Sequence, residues 1–239
     1  VELFDFCVYE VAESWCVGFW ISGNYLLIGK NLTQVDIDII SKKIDFSQFI
    51  DGFHFAGNTE VINQLVENSS DFSLEPFKER YFYKLRSLKL ISKFSNEVCL
   101  VTKNDIQDIA TLYQKFFHEE YNGRNDKDLH FTIKIVENLL SQKMIYKLKI
   151  KDKILGFCTM MSFLNKVPNM IGTIYIDINY RMNDNGKHLL SDVVNRILKE
   201  HNEVLLMTTK DSVASNKMVE SVRFKKEYDY SDRLIKKFK

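Results

Sequence analysis

The stretch from Gly172 to Leu190 reads G-T-I-Y-I-D-I-N-Y-R-M-N-D-N-G-K-H-L-L and combines three local patterns. Apolar residues alternate at 174, 176 and 178, which predicts a strand. Polar or turn-prone residues follow over 181–186, and apolar residues then recur at helical spacing, at 189, 190, 193, 194, 197 and 198. A short polar loop at a helix N-terminus presents backbone N–H groups and the positive end of the helix dipole. The pattern therefore predicts an anion site, with Arg181 and Lys187 beside it.

The same loop resembles the acyl-CoA signature of the GNAT superfamily of N-acyltransferases, Arg/Gln-x-x-Gly-x-Gly/Ala. Arg181 and Gly186 match this signature, and Asp184 stands where the signature has its middle glycine. The resemblance implies that the loop amides hold the pyrophosphate of coenzyme A, and that the preceding strand offers backbone groups to the acyl-thioester arm. The residues implied for cofactor binding are Ile174, Ile176, Arg181, Met182, Asn183, Asp184, Asn185, Gly186, Lys187, Ser215 and Asn216. The alternative is a strand–turn–helix joint without a ligand.

A second match to the family lies in S-V-A-S-N-K-M-V-E-S-V-R-F, residues 212–224. The resemblance implies a coenzyme A contact at Ser215–Asn216, with a polar helix face as the alternative. Two positions depart from the family. Arg223 replaces the usual glycine, and Val219 stands where many members have a tyrosine that protonates the departing thiolate.

The order of predicted elements after residue 95 also resembles the family. It is a strand, two helices, three antiparallel strands, a helix, a strand, a helix and a final hairpin of 225–230 with 233–238. This is the order of the GNAT fold, and the resemblance covers all of 96–239. The predicted fold class is therefore α/β (α+β): a GNAT-like mixed, mostly antiparallel sheet flanked by helices, preceded by a smaller α+β domain.

Residues 1–95 predict that smaller domain. Two short strands flank a Gly-Asn turn, and a strand–loop–helix and a further strand pattern follow. The order resembles a partial, degenerate GNAT-like module, and it has no phosphate-loop motif, so we expect it to be non-catalytic. The polar stretch Lys89–Asn96 is the predicted boundary between 1–95 and 96–239. His54 lies between two phenylalanines, which favours a structural role over a catalytic one.

Composition narrows the class of protein. Of 239 residues, 45% are hydrophobic and 27% charged, as in soluble globular proteins, and the net charge of +1 gives no global attraction to nucleic acid or an anionic membrane. No apolar run approaches the roughly 20 residues that span a bilayer, and the first residues do not read as a signal peptide. The five histidines show no metal-binding spacing. We expect a cytoplasmic protein without a metal, whose cysteines are reduced and buried: Cys7, Cys16, Cys99 and Cys158.

Acyl transfer from a thioester to an amine needs a base for the amine proton and a donor for the developing oxyanion. It needs no covalent intermediate, so Cys158 is not interpreted as a nucleophile. The candidate bases are Glu119, Glu120 and Asp177, and the candidate acids are Tyr121 and, more weakly, Tyr175. The catalytic prediction is Glu120, Tyr121 and Asp177, against the alternative that each carboxylate is simply solvated.

These features predict an N-acetyltransferase that moves an acetyl group from acetyl-CoA, its acyl-donor substrate, to a primary amine of a small molecule or peptide. The first alternative is a catalytically degenerate GNAT-like domain that binds coenzyme A or acts as a sensing or interaction module. The second is a nucleic-acid-binding protein, which the near-neutral charge disfavours. We expect neither a nucleic-acid nor a membrane partner, and a homodimer is compatible with the sequence.

Overall fold

The structure, a computed structural model, describes residues 3–21, 23–67, 72–86, 97–161 and 169–238. The strands are β1 (Leu3–Val11), β2 (Ser14–Ile21), β3 (Asn24–Lys30), β4 (His54–Asn58), β5 (Phe72–Arg86), β6 (Val98–Leu100), β7 (Ile145–Ile150), β8 (Lys153–Met161), β9 (Met170–Ile176), β10 (Glu203–Thr209) and β11 (Lys225–Lys237). The α-helices are α1 (Gln34–Ser41), α2 (Thr59–Glu67), α3 (Ile106–Tyr121), α4 (Leu129–Ser141), α5 (Asn185–Ile197) and α6 (Val213–Ser221). Single 3₁₀ turns cover Phe46–Gln48, Lys103–Asp105 and Ile178–Tyr180.

The chain forms two compact units. The first contains the residues through Phe82, Thr208–Ser212 and the residues from Lys226 onward; the second contains Tyr83–Met207 and Val213–Lys225. The predicted boundary after residue 95 lies outside the described residues, so the division into 1–95 and 96–239 stays a prediction.

The first unit is a mixed sheet with two helices. Its strand order is β1-β2-β3-β4-β11-β5; β1–β2, β2–β3 and β4–β11 are antiparallel and β3–β4 is parallel. One face of β1–β3 carries Cys7, Cys16, Trp20, Tyr25 and Leu27 into a core that also contains α1 and α2 residues. Aromatic rings dominate this core: the Trp20 and Phe49 centroids lie 5.0 Å apart, and those of Tyr25 and Phe49 5.1 Å apart.

The second unit is a sheet with helices on both faces. Its strand order is β10-β9-β8-β7-β6, in which only β10–β9 is parallel. The helices α3 and α4 cover one face, where Tyr113, Val136, Phe157 and Tyr175 share a core. On the other face α5 packs against β7, β8, β9 and α6. The predicted fold class, a mixed and mostly antiparallel sheet flanked by helices, is confirmed.

Two details differ from the expectations. The strand β1 was not predicted, and the predicted hairpin of 225–230 and 233–238 is one continuous strand, β11. Ser231 and Asp232, which lie between the two predicted strands of that hairpin, instead pair with β4. Ser231 is fully buried, and its hydroxyl lies 2.9 Å from both carboxylate oxygens of Glu79 and 2.6 Å from Oγ1 of Thr59. These distant partners satisfy its polar group, so the local preference for a turn does not decide the fold.

A buried ion pair joins β7 to the turn before α3. Lys147 Nζ contacts Asp105 Oδ2, and the two side chains are 7% and 11% exposed. Asp105 also accepts a hydrogen bond from the backbone N–H of Thr102, 2.7 Å away. Burial alone would raise the pKa of Asp105, but Lys147 and Thr102 outweigh burial and hold it below its ordinary value. The Asp105 carboxyl is therefore ionised in the folded protein at neutral pH.

We expect Lys147→Met to lower the free energy of unfolding by about 3–5 kcal/mol, because it leaves the Asp105 carboxylate buried without its cation. Urea unfolding at pH 7 measures the loss. The matched control is Lys149→Met on the same strand, whose pair with Asp152 is exposed and should contribute less than about 1 kcal/mol. Equal, small losses for both variants would show that the buried pair is not critical.

Candidate functional site

The strand β9 sorts its side chains onto two faces, as the sequence predicts. Tyr175 and Asp177 face α3, where Tyr175 is part of the core beneath α3 and α4. Ile176 lies on the opposite face, close enough to Gly186 in α5 that a Cβ there would be 3.6 Å from its Cγ1. The strand ends at Ile176, so Ile178 belongs to the following 3₁₀ turn and is 65% exposed.

Beyond its first two residues, β9 is unpaired along the edge next to β10. The parallel pairing covers Met170 with Leu205 and Ile171 with Leu206, and no further pair follows among the described residues. Along its other edge β9 pairs with β8 as far as Ile176. The second half of β9 therefore has one edge available to an extended ligand.

Arg181 is bound to the protein on two sides. Its Nε donates to the backbone carbonyl of Ile176 at 2.8 Å, and its Nη2 donates to Oε2 of Glu119 at 2.7 Å. Its guanidinium also lies over the ring of Tyr175, 5.2 Å from the centroid. The charge predicted to bind an anion is thus paired with a carboxylate on α3, and the carbonyl of Ile176 is occupied.

Glu119 joins the same cluster through its second oxygen. Oε1 accepts from the hydroxyl of Tyr175 at 2.6 Å. Burial, and then this hydrogen bond to a carboxylate, raise the pKa of Tyr175, so the phenol stays protonated at neutral pH. Because both oxygens of Glu119 hold donors, this residue links α3 to the end of β9.

Asp177 is held just as firmly. It is 5% exposed; Oδ2 accepts from Lys115 Nζ at 2.6 Å, and Oδ1 accepts from the backbone N–H of Asn179 at 3.0 Å. Burial would raise its pKa, but Lys115 and Asn179 more than compensate and hold the pKa below its ordinary value. A carboxylate with a low pKa and bonded oxygens is a weak base, so this geometry disfavours the catalytic role predicted for Asp177.

The loop after Arg181 turns twice through left-handed backbone. Met182 has φ of 71°, and Asp184 has φ of 55° with ψ of 9°. Asp184 occupies the position of the signature's middle glycine, and it adopts a conformation that glycine favours and that Asp tolerates better than most residues. Met182, Asn183 and Asp184 are all exposed, with Met182 at 98%.

This turn leaves the start of α5 uncapped. Asp184 is its N-cap residue, but its side chain makes no capping hydrogen bond. In the described part of the chain, the backbone N–H groups of Asp184, Asn185, Gly186 and Lys187 have no hydrogen-bond acceptor. By contrast, α1 and α4 have side-chain caps: Thr33 and Asp36 form a capping box on α1, and Asp128 accepts from the first turn of α4.

The first residues of α5 also fix where this helix starts. The side chain of Asn185 is buried, and its Nδ2 donates to the carbonyl of Tyr180 at 2.7 Å. A Cβ on Gly186 would lie 2.9 Å from Sδ of Met218, so Gly186 permits close packing of α5 on α6. Lys187 is partly exposed in the same turn.

The predicted residues of α6 lie beside α5. Ser215 and Asn216 are partly exposed near its start. Val219 is 1% exposed, so the position where the family has its tyrosine is part of the core. Arg223 follows the helix with φ of 69°, and the N–H of Phe224 donates to the carbonyl of Val219 at 3.3 Å. As at Asp184, the chain keeps a glycine-like conformation without the glycine.

Glu120 and Tyr121 end α3, and both are partly exposed. The ring of Tyr121 stacks on Phe117 with centroids 6.3 Å apart. Next to them lies an open surface depression of about 370 Å³, lined by Gln114, Lys115, His118, Glu119, Asp126 and Lys127. Its lining mixes three basic side chains with the carboxylates of Glu119 and Asp126, and Asp126 Oδ2 lies 3.0 Å from His118 Nδ1. The sequence indicated the end of α3 but not this depression, which the loop from α3 to α4 completes.

No group of His, Cys, Asp and Glu side chains suited to a metal ion occurs among the described residues. Nor does any helix within the described ranges have the length and apolar character needed to cross a membrane. His54, in the first unit, bonds through Nδ1 to Oδ1 of Asp232 at 2.5 Å.

We expect Asp177→Asn to lower the free energy of unfolding by about 2 kcal/mol at pH 7, since it removes charged hydrogen bonds. A lowered carboxyl pKa stabilises the fold above the ordinary value near ~4 and loses this contribution as the pH falls through the folded-state pKa. The variant and the parent should therefore converge once the pH falls below the folded-state pKa of Asp177. Denaturant unfolding across this range measures the difference, with the exposed Asp126→Asn as the control. A difference that does not change with pH would contradict the ionised pair.

Sequence comparisons give no family: no family model matches the chain, and no curated protein matches it. Solved structures do match. A GNAT-family acetyltransferase from Colwellia psychrerythraea is 14% identical, with a TM-score of 0.60 over 99% of this chain and 85% of that one. A GCN5-related N-acetyltransferase from Sphaerobacter thermophilus is 11% identical, with a TM-score of 0.57 over 94% and 76%.

A third structure, a GCN5-related N-acetyltransferase from Kribbella flavida, is 9% identical, with a TM-score of 0.55 over 95% of this chain and 89% of that one. In each case the structural similarity covers most of both chains. The sequence identity is so low that this similarity supports a shared fold and nothing further. The chain therefore has the fold of the GNAT acetyltransferases.

Proposed function

We propose that this protein is an acyl-CoA-dependent N-acetyltransferase, which transfers the acetyl group of acetyl-CoA to a primary amine of a small molecule or peptide. One observation carries the proposal. The uncapped start of α5 offers four backbone N–H groups, from Asp184 to Lys187, beside the unpaired edge of β9. An anionic group followed by an extended arm fits that combination, and coenzyme A has both.

The pyrophosphate would bind the open N–H groups of α5. Each unsatisfied amide there is a hydrogen-bond donor, and the helix dipole adds about half a positive charge at the same end. Lys187 contributes a full charge, whereas the charge of Arg181 is paired with Glu119 and that of Asp184 opposes binding. The site thus relies on backbone donors more than on side-chain cations, with Ser215 and Asn216 as further contacts from α6.

The acyl arm would run along β9. Pairing with β10 ends after Ile171, so the amide groups of the arm can hydrogen-bond to the exposed edge as a strand would. Ile174 is the backbone contact that we favour. The carbonyl of Ile176 already accepts from Arg181, so a contact there needs Arg181 to move.

For the chemical step we propose Glu120 as the base that takes the amine proton and Tyr121 as the acid that protonates the departing thiolate. Both end α3, and their neighbour Glu119 lines the surface depression described above, which could receive the acceptor amine. Glu119 and Asp177 serve instead as positioning residues, since each holds donors on both oxygens. Cys158 is fully buried and burial raises the pKa of its thiol, so it is no nucleophile.

The main alternative is a non-catalytic module of the same fold that binds coenzyme A without turnover. Three observations favour it: Val219 is buried where the family has a tyrosine, Arg181 is held by Glu119, and Asp184 places a negative charge at the phosphate loop. Binding of acetyl-CoA without thiol release in the presence of varied amines would select this alternative.

All four cysteines are free thiols, although Cys99 is exposed and not buried as expected. Because structural disulfides are typical of oxidising compartments, we propose a cytoplasmic location.

We expect acetyl-CoA to bind at Asp184–Lys187, and Asp184→Asn and Asp184→Gly to tighten this binding. A carboxylate about 6 Å from a phosphate costs roughly 2–3 kcal/mol at an effective dielectric near 20, and outward rotation and salt reduce this to about 1 kcal/mol. The gain should reach at most about tenfold at low salt and shrink as ionic strength rises. Asparagine is the sharper variant, because it removes the charge and still tolerates the left-handed backbone.

Calorimetric titration with acetyl-CoA at low and high salt measures this effect. The matched control is Asp152→Asn, which removes an aspartate at another left-handed position, with φ of 63°, in the turn between β7 and β8. Binding that is absent at millimolar acetyl-CoA would overturn the site. Unchanged affinity in both Asp184 variants at low salt would show that this carboxylate does not face the phosphates.

We expect Glu120→Gln to lower kcat by about a hundredfold with little change in the KM for acetyl-CoA, because it removes the base and leaves the cofactor site intact. Thiol release measured against a panel of primary amines gives both constants. Glu119→Gln is the control: it has the same chemistry one residue away, and we expect it to change kcat less than about tenfold. The reverse order of the two losses would assign the base to Glu119.

A further inference from the structure

The sheet of the first unit has a second face that the core does not use. Alternation along β1, β2 and β3 sends one set of side chains towards α1 and α2 and the other set to the opposite side. We call that opposite side the outer face. Its apolar members are Val8, Trp15, Val17, Phe19, Ile21, Leu26 and Ile28.

The outer face is apolar and incompletely covered. Val8 is 45% exposed and Trp15 39%, and the other five residues are partly exposed. Among the described residues, none of the seven belongs to the core of this unit or packs against it. Single exposed apolar residues are common, but seven on three adjacent strands form a continuous patch of the kind that marks an interaction surface.

A charged row crosses one end of this face. Trp15 on β2 pairs with Glu10 on β1 and with Lys30 on β3, so the three side chains form a line across the sheet. Strands lie about 4.8 Å apart, which puts Glu10 and Lys30 roughly 10 Å apart on either side of Trp15. Both charged residues are exposed, and neither has an ion-pair partner in the parts of the chain that are described.

This row is complementary to itself. If a second copy stacks on the outer face by a two-fold rotation about an axis parallel to the strands, the order of the row is reversed in the copy. Glu10 of each copy then lies over Lys30 of the other, and the two Trp15 side chains meet between them. Stacked sheets pack about 10 Å apart with strands nearly aligned, which is within reach of these side chains. The next row, Val8–Val17–Ile28, would pack apolar on apolar.

We propose that the outer face is a homodimer interface, closed by two symmetric Glu10–Lys30 ion pairs around Trp15. An isologous interface needs one patch that complements itself, and this row provides the charge pattern that such symmetry requires. A second copy is favoured over an unrelated partner because opposite charges occupy mirror positions about the central Trp15. The proposed interface is formed by residues of the first unit, whereas the proposed coenzyme A site is formed by residues of the second.

Charge reversal tests the proposal on the full chain. In Glu10→Lys or Lys30→Glu, each homodimer has two like-charge contacts, and we expect its dissociation constant to rise by about tenfold or more over that of the parent. Mixing the two single variants should restore the parent affinity, because in the heterodimer both contacts are again between opposite charges. The double variant Glu10→Lys/Lys30→Glu should also dimerise like the parent. The control is Lys42→Glu at the end of α1, exposed and outside the outer face.

Sedimentation velocity over a range of concentrations gives the dissociation constants, and circular dichroism checks that each variant is folded. Recovery in the mixture would support the proposal, since improved folding of either variant alone cannot produce it. A parent that stays monomeric up to millimolar concentration would overturn it. So would a dimer that Glu10→Lys leaves intact, or single variants that do not recover on mixing.

Discussion

The left-handed turn of the backbone at Asp184 is the constraint on which the site depends. It lies between β9 and α5 and leaves the Asp184 side chain without the capping hydrogen bond that an N-cap aspartate normally makes. Four N–H groups remain open as a result. They lie at the start of a helix whose first turn is fixed by the buried side chain of Asn185. The same chain segment therefore fixes the start of α5 and leaves backbone hydrogen-bond donors open there.

Much of the structure around α5 could be predicted from the sequence, because it depends on residues that are close together in the chain. The alternation of β9, the polar loop and the apolar stripe of α5 are read from neighbouring residues, and the structure has all three. Asp184 and Arg223, which stand where the family signature has glycines, show how a local backbone conformation can persist without the glycine. Both positions have positive φ, at 55° and 69°, a backbone conformation that glycine favours, and each non-glycine residue bears some strain there.

What could not be predicted depends on partners distant in the chain. Arg181 was expected to meet an anion, yet it is bound to Glu119, 62 residues earlier, and no local pattern specifies that pair. Asp177 was expected to act as a base, but its carboxylate forms an ion pair with Lys115, which lies on α3 as Glu119 does. The spacing of Lys115 and Glu119, one helical turn apart on α3, was the available signal, but it identifies a shared face and not what lies opposite. The continuity of β11 also depends on distant residues, because Glu79 and Thr59 form hydrogen bonds with the buried hydroxyl of Ser231.

The central claim is that the open start of α5 is a binding site for the pyrophosphate of coenzyme A. A nitrogen-15 NMR titration of the deuterated protein with coenzyme A tests it most directly, because each amide reports separately. The amide signals of Asp184, Asn185, Gly186 and Lys187 should move together and saturate at one dissociation constant, as expected when their N–H groups gain a charged acceptor. Shifts confined to other residues, or no saturable shift of these four amides, would contradict the claim.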